Sequence, residues 1–150
     1  MNNLAAVETN AEFFLFLNND LFPQDSNWLR LLVNEALADP SVAAVGGRYL
    51  YPNGTVQHAG IVVGPKGFAS HIHMGRPGTD YGFIGRIALA QELTAITAAC
   101  MLVRASVFHE VGGFDEVAFK VAYNDVDLCL RIRAAGYRII RAYPVDSDTH

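Results

Sequence analysis

Two carboxylates fall where an α/β protein does chemistry. Asp20 closes the stretch Phe13-Phe14-Leu15-Phe16-Leu17-Asn18-Asn19-Asp20, in which five apolar residues run straight into three polar ones. A strand buried on both faces of a parallel sheet has such a continuous apolar run, and in open sheets of that kind ligands collect at the carboxyl ends of the strands. A carboxylate at that point can hold a metal ion or a phosphate-bound cation. The same three polar residues also make an ordinary turn, because Asn and Asp side chains bond readily to nearby backbone. Asp125 follows Asn124 at the head of a helical stretch, Val126-Asp127-Leu128-Cys129-Leu130-Arg131-Ile132-Arg133, with Asn124 as its cap and Gly136 as its terminator. Fixed at a helix start, a carboxylate can take a proton from a substrate hydroxyl without a large pKa shift. Asp125 and Asp127 also have a structural explanation, since acidic residues in a first turn interact favourably with the helix dipole.

Other polar positions carry weaker signals. Gly112-Gly113-Phe114-Asp115-Glu116 ends a short helix over Ala105 to Val111, where glycines permit a turn closed to other residues and two carboxylates reach the surface; a helix stop with Phe114 packed back on the helix explains it equally well. His71 and His73 would face one side of an extended segment, but two ligands fall short of the three or four that zinc needs. Cys100 and Cys129 sit in apolar surroundings without metal-ligand spacing, as buried thiols do in a reducing compartment.

The elements that must position these groups alternate along the chain. After the Asp20 segment, Pro23 breaks the chain, and Asp25 or Ser26 can cap a helix carrying Trp28, Leu29, Leu31, Leu32, Ala36 and Leu37 up to Asp39-Pro40. Val42 to Val45 reads as a second buried strand. Arg48 to Tyr51, the turn Pro52-Asn53-Gly54-Thr55 and the stretch from Val56 to Val63 read as a hairpin. Gly64 to Arg86 is rich in glycine and proline and almost free of periodicity, a long loop of the kind used as lid or binding segment. Leu93 to Val103 suits a central strand, Tyr137 to Ala142 a further one, and the chain ends on the polar Asp146-Ser147-Asp148-Thr149-His150. The 150 residues can bury one sizeable core as a single domain; 51% are hydrophobic, yet no apolar run approaches the roughly 18 residues of a membrane span. A net charge of -4 without a basic block makes nucleic acid an unfavourable partner.

In order and spacing these pieces resemble a family 2 glycosyltransferase of the GT-A fold. The matching segments are Leu15-Phe16-Leu17-Asn18-Asn19-Asp20, Trp28-Leu29, Val45-Gly46-Gly47, Tyr51-Pro52-Asn53-Gly54-Thr55-Val56-Gln57-His58-Ala59-Gly60, Thr97-Ala98-Ala99-Cys100-Met101-Leu102-Val103-Arg104, Gly112 to Glu116 and Asn124 to Arg131. They are closest in pattern to the bacterial rhamnosyltransferase-like enzymes that build surface polysaccharide. The fold this implies is a mixed, mostly parallel α/β sheet flanked by helices, with a hairpin and a long Gly-rich loop. By position, Asn18, Asn19 and Asp20 stand at the family's Asp-x-Asp motif, so they would bind the donor, with Asp20 on a Mg2+ or Mn2+ that bridges its diphosphate. Asn18 replaces the first aspartate and brings no charge. Asp125 stands at the catalytic base, Gly113, Phe114, Asp115, Glu116 and Asn124 where the acceptor is cradled, and His150 near the histidine that completes the metal site.

The resemblance implies an inverting transfer from a nucleotide sugar to a saccharide or lipid-linked saccharide, in the cytoplasm or peripheral at the inner membrane face. One departure is expected to matter. Similar enzymes begin with a strand-helix-strand unit that holds the nucleotide base, whereas Met1 to Thr9 matches the helix before the Leu15 to Asp20 strand, so the chain reads as N-terminally truncated with an exposed sheet edge at Phe13 to Leu17. A homodimer that covers this edge, or an inactive fragment serving as a binding module, is the alternative. A metal-dependent nucleotidyltransferase lacks the Gly-rich phosphate loop that its chemistry needs.

Overall fold

The apolar runs build one sheet with a core on each face. The computed structural model describes residues 2–64, 69–119 and 122–149, from 143 onward as backbone. In chain order the elements are α1 (Asn2–Val7), β1 (Phe13–Leu17), β2 (Leu21–Pro23), α2 (Trp28–Ala38), β3 (Val42–Leu50), β4 (Val56–His58), β5 (Ile61–Val63), β6 (Ala69–His71), β7 (Gln91–Glu92), β8 (Cys100–Arg104), α3 (Ala105–Glu110), α4 (Asn124–Ala134) and β9 (Arg138–Thr149). The main sheet runs β1-β8-β3-β9-β2, with β4 on β3 and β7 on β9. Side chains alternate between its faces as the pleat requires. Phe13, Leu15, Cys100, Leu102, Ile140 and Ala142 pack toward α2, against Leu32 and Ala36. Phe14, Met101, Val103 and Ile139 pack on the other side against Val107 and Phe108 of α3 and Leu128, Cys129 and Ile132 of α4.

The mixed α/β sheet flanked by helices is as expected, but the share of parallel pairing is smaller. β1, β3 and β9 run the same way, and only β3 and β9 are neighbours, paired in parallel from Val42 opposite Arg138 to Leu50 opposite Asp148. β8 lies between β1 and β3 and runs against both. Parallel neighbours need a crossover, usually helical, and no α-helix occurs among the described residues between Leu50 and Cys100, so the chain comes back antiparallel. This also corrects the reading of Phe13 to Leu17 as a strand buried on both faces. β1 contributes to both cores, but it is the end strand of the sheet, and Leu17 is exposed.

Local chemistry sets several boundaries. Asp25 accepts a bond from the Asn27 amide at 2.6 Å, forming the turn ahead of α2, and Asn27 rather than Asp25 or Ser26 occupies the cap position. The Pro52 to Thr55 turn closes the hairpin of β3 and β4, with Tyr49 opposite His58. The strand expected over Tyr137 to Ala142 runs further: β9 continues through the polar residues to Thr149 because its far half pairs with both β3 and β2. Among the described residues no helix is long and apolar enough to cross a membrane.

The Gly-rich stretch from 69 onward holds β6 and a 3-10 turn at Phe83–Gly85, and is otherwise irregular as expected. It is tied down by Arg141 of β9, 1% exposed, whose guanidinium donates to the carbonyls of Ala59 (3.2 Å), Arg86 (2.7 Å) and Leu89 (2.6 Å). A cation can be buried here because oxygens surround it, and those oxygens lose their donor if it goes. Arg141→Met is therefore expected to destabilise the fold by about 2 kcal/mol or more, since the buried carbonyl of Ala59 and the part-buried carbonyls of Arg86 and Leu89 lose this donor. Urea unfolding monitored by circular dichroism measures this; an unchanged midpoint would contradict the assignment.

Candidate active site

Both candidate carboxylates lie at the edge of the sheet where β1 ends. There the Asn18 amide donates to the Ala99 carbonyl at 2.7 Å, and the amide of the adjacent residue, Ala98, donates to Asp125 Oδ2 at 3.1 Å. Two neighbouring residues just before β8 thus hold the turn that carries Asp20, through the Ala99 carbonyl, and the carboxylate of Asp125, through the Ala98 N–H. The second oxygen of Asp125 accepts from the Val126 amide at 2.8 Å, so backbone donors fix both of its oxygens. Asn124 is the first residue of α4, not its cap; Tyr123 takes the cap position with a left-handed φ of 65°, while Asn124 Oδ1 still accepts from the Asp125 amide. Asp127 is paired to Arg131 at 2.6 Å along α4, which gives it a structural role.

Asp20 lies in an exposed turn, with Asn18 and Asn19 beside it. Directly after it Leu21 pairs with Thr149, so this turn sits at the end of β9 as well as of β1. His150 lies outside the described residues. Among the described residues no cluster of three His, Cys, Asp or Glu side chains could hold a metal. What the turn offers is one carboxylate and two amide oxygens, a hard oxygen set. It fits a cation such as Mg2+ or Mn2+ shared with a substrate diphosphate and water, and does not fit an all-protein cage.

The Gly112 to Glu116 segment is anchored from behind. Asn3 of α1 donates to the Phe114 carbonyl at 2.7 Å and accepts from its amide at 2.9 Å. Phe114, 4% exposed, packs edge-on against Phe16 and Phe108. Its ring belongs to the core, as the helix-stop explanation has it. Gly113 has a φ of 69°, and a Cβ there would stand 2.6 Å from Asn3 Oδ1, so any other residue would be strained and would displace the Asn3 side chain that anchors Phe114. Glu116 is exposed and Asp115 half-buried, and Asp115 accepts from the amides of Ala118 and Val117, which hold its carboxyl below the usual range. Both cysteines are buried free thiols, Cys100 pushed up to about 11 and Cys129 to about 12, chiefly by burial.

Sequence reasoning missed His58. It ends β4, is 1% exposed, stacks on Tyr49, and brings its Nδ1 to 2.9 Å from Nδ1 of His71. The available signal was the alternation of Val56, Gln57 and His58, which turns a histidine inward. His71 and Asp125 both line a cavity of about 350 Å³, together with Ile61, Ala69, Tyr123 and Asn124. His73 does not reach this cavity lining; it occupies a turn with a φ of 64°. Burial, reinforced by His71 and by Arg141, holds His58 well below its ordinary value, and burial also lowers His71 against the opposing pull of Asp125.

No family model matches the chain. It is 44% identical over 141 residues to the O-antigen biosynthesis protein RfbC of Myxococcus xanthus, covering 93% of this chain and 11% of that protein. Uncharacterized protein y4gI of Sinorhizobium fredii is 41% identical over 138 residues, which is 91% of this chain and 15% of that protein. The pre-mycofactocin glycosyltransferase of Mycobacterium tuberculosis is 29% identical over 147 residues, 98% of this chain and 28% of that one. The chain therefore spans between 11% and 28% of the length of these curated relatives. The crystal structure of GalNAc-T7 with UDP, GalNAc and Mn2+ matches with a TM-score of 0.73 at 12% identity, over 99% of this chain and 29% of that one. The fold is GT-A.

One consequence of the buried histidine pair is measurable. An unfolded chain protonates His58 as the pH falls through about 6.5, whereas the folded chain keeps it neutral, so the unfolded state binds more protons and stability declines. Urea midpoints should fall between pH 7 and 5, less steeply in His58→Phe; equal slopes in the two proteins would mean that His58 is not held neutral.

Proposed function

We propose that this chain is the catalytic part of an inverting glycosyltransferase. It takes a sugar from a nucleotide-sugar donor seated at Asn18, Asn19 and Asp20 and passes it to a hydroxyl in the cavity beside Asp125. The observation that carries the reading is the bracket at Ala98 and Ala99, two adjacent residues that fix the Asp20 turn and the Asp125 carboxylate at one edge of a GT-A sheet. Likeness to a protein named for O-antigen biosynthesis supports a saccharide or lipid-linked saccharide acceptor in surface-polysaccharide assembly.

In this mechanism Asp125 accepts the proton of the acceptor hydroxyl as its oxygen bonds to the anomeric carbon, and the bond to the nucleoside diphosphate breaks on the opposite face. Asp125 is suited to this by its two backbone donors, which aim the carboxylate before substrate arrives. Asp20 would hold a divalent cation with the donor diphosphate, as the Mn2+ and UDP present in the GalNAc-T7 structure suggest, and the cation supplies charge neutralisation for the leaving group. His150 directly follows Thr149, the residue paired with Leu21, and is proposed as a further ligand. Asp115, Glu116 and Asn124 are proposed for acceptor contacts, with Gly113 and Phe114 shaping the backbone that presents them.

Calorimetric titration with UDP, GDP and dTDP, with and without Mn2+, followed by a turnover assay on a panel of nucleotide sugars including dTDP-rhamnose, tests the reading. At least one nucleotide should bind in a Mn2+-dependent way, and Asp20→Ala should weaken it about tenfold or more, the loss of one charge-assisted contact. Binding without turnover would point to a binding module, and no binding to any nucleotide would remove the donor site from this chain.

A further inference from the structure

We propose that buried His58 locks His71 as a neutral Nε2–H donor in the Asp125 cavity, where it holds the hydroxyl oxygen whose proton Asp125 takes. The two Nδ1 atoms are 2.9 Å apart, so one donates and the other accepts. Which one follows from the rest of the pair. His58 Nε2 is buried with no hydrogen-bond partner. Were His58 Nδ1 the acceptor, Nε2 would carry the hydrogen, and a donor would be buried unpaired; with the hydrogen on Nδ1, only a bare lone pair is left there. An orphaned buried N–H is the rarer and costlier case. His58 Nδ1–H therefore donates to His71 Nδ1, and His71 must carry its own hydrogen on Nε2.

The surroundings keep this arrangement uncharged. His58 faces Tyr49 on β3, which stacks on it, Arg141 on β9, whose positive charge disfavours a second proton, and His71 on β6. His71 faces His58 and, from α4, Asp125. A second proton on His71 would put hydrogens on both Nδ1 atoms and would force His58 into the costly tautomer. His71 therefore remains a donor and does not compete with Asp125 as a base. With its Nδ1 engaged by His58, Nε2–H is its one free polar position in a cavity that it shares with Asp125. His71 touches the reacting hydroxyl, and His58 is the positioning residue that acts through it. This inference rests on Asp125 being the base; the tautomer lock beneath it does not.

Nitrogen-15 NMR of the full chain labelled at histidine reads the lock without any substrate. The expected spectrum has the proton of His58 on Nδ1 and that of His71 on Nε2, with His71 still neutral at pH values where an ordinary histidine titrates, and in His58→Phe, which frees the Nδ1 lone pair, His71 takes up its second proton at higher pH than in the parent chain. The opposite tautomers, or a wild-type His71 that titrates ordinarily, would overturn the lock. In the nucleotide-sugar panel His71→Gln, whose amide N–H replaces Nε2–H, should keep the rate within about threefold, while His71→Phe should lose about tenfold in kcat, the worth of one hydrogen bond. Equal rates for the two variants would overturn the role of His71 even if the tautomers are as stated. A chain with no turnover on any donor leaves the spectrum to decide the lock, and its failure would then be that of the transferase reading.

Discussion

The arrangement of the candidate site depends on β8 lying between β1 and β3. Because β8 runs against both of them, the peptide groups that precede it emerge at the carboxyl end of β1, and there Ala99 receives the Asn18 amide while Ala98 donates to Asp125. The groups that Ala98 and Ala99 supply are main-chain and have no rotamers to lose, so the one side chain that the bracket must order is that of Asp125. Gly46 of β3 lets the segment before β8 approach closely, since a Cβ there would stand 3.0 Å from Ile96.

The fold divides into an economical half and an expensive half. Around α2, α3 and α4 the sheet is held by apolar packing on both faces, with Phe14, Phe108 and Phe114 interlocked edge to face. From β4 to β7 regular structure is short, and backbone groups must find other partners. Arg141 supplies donors to carbonyls of that region, Arg48 donates to the Gly78 carbonyl, and Tyr49 places its hydroxyl between Gly47 and Cys100. Gly60 lets Leu93 approach where any Cβ would collide at 2.5 Å. Polar burial therefore concentrates beside the cavity, and the histidine pair belongs to the same system.

Where apolar period and length were both strong, the sequence was legible. Trp28 to Leu37, Val42 to Val45 and the α4 stretch correspond to elements of the structure, whereas of the central strand expected over Leu93 to Val103 only the part from Cys100 onward is strand. Direction was not legible, because a buried strand reads the same in parallel and antiparallel company; β8 is the example. The end of β9 was misread because its residues are polar, and pairing with β2 and β3, which no local pattern encodes, makes it strand. At the site, Asp125 and Asp20 were visible as carboxylates at element boundaries. His58 and Arg141 were not, since long-range contacts alone reveal that a polar residue in an apolar strand is buried and paired.

The claim that most needs testing is that donor binding and proton removal belong to two different carboxylates held by one bracket. Nucleotide binding and sugar turnover should be measured side by side for the parent chain and Asp125→Asn, in which the amide keeps the shape but not the basicity. The account predicts unchanged Mn2+-dependent nucleotide affinity together with turnover lower by about 10²- to 10⁴-fold, the usual worth of a positioned base. Turnover that survives in Asp125→Asn would contradict it.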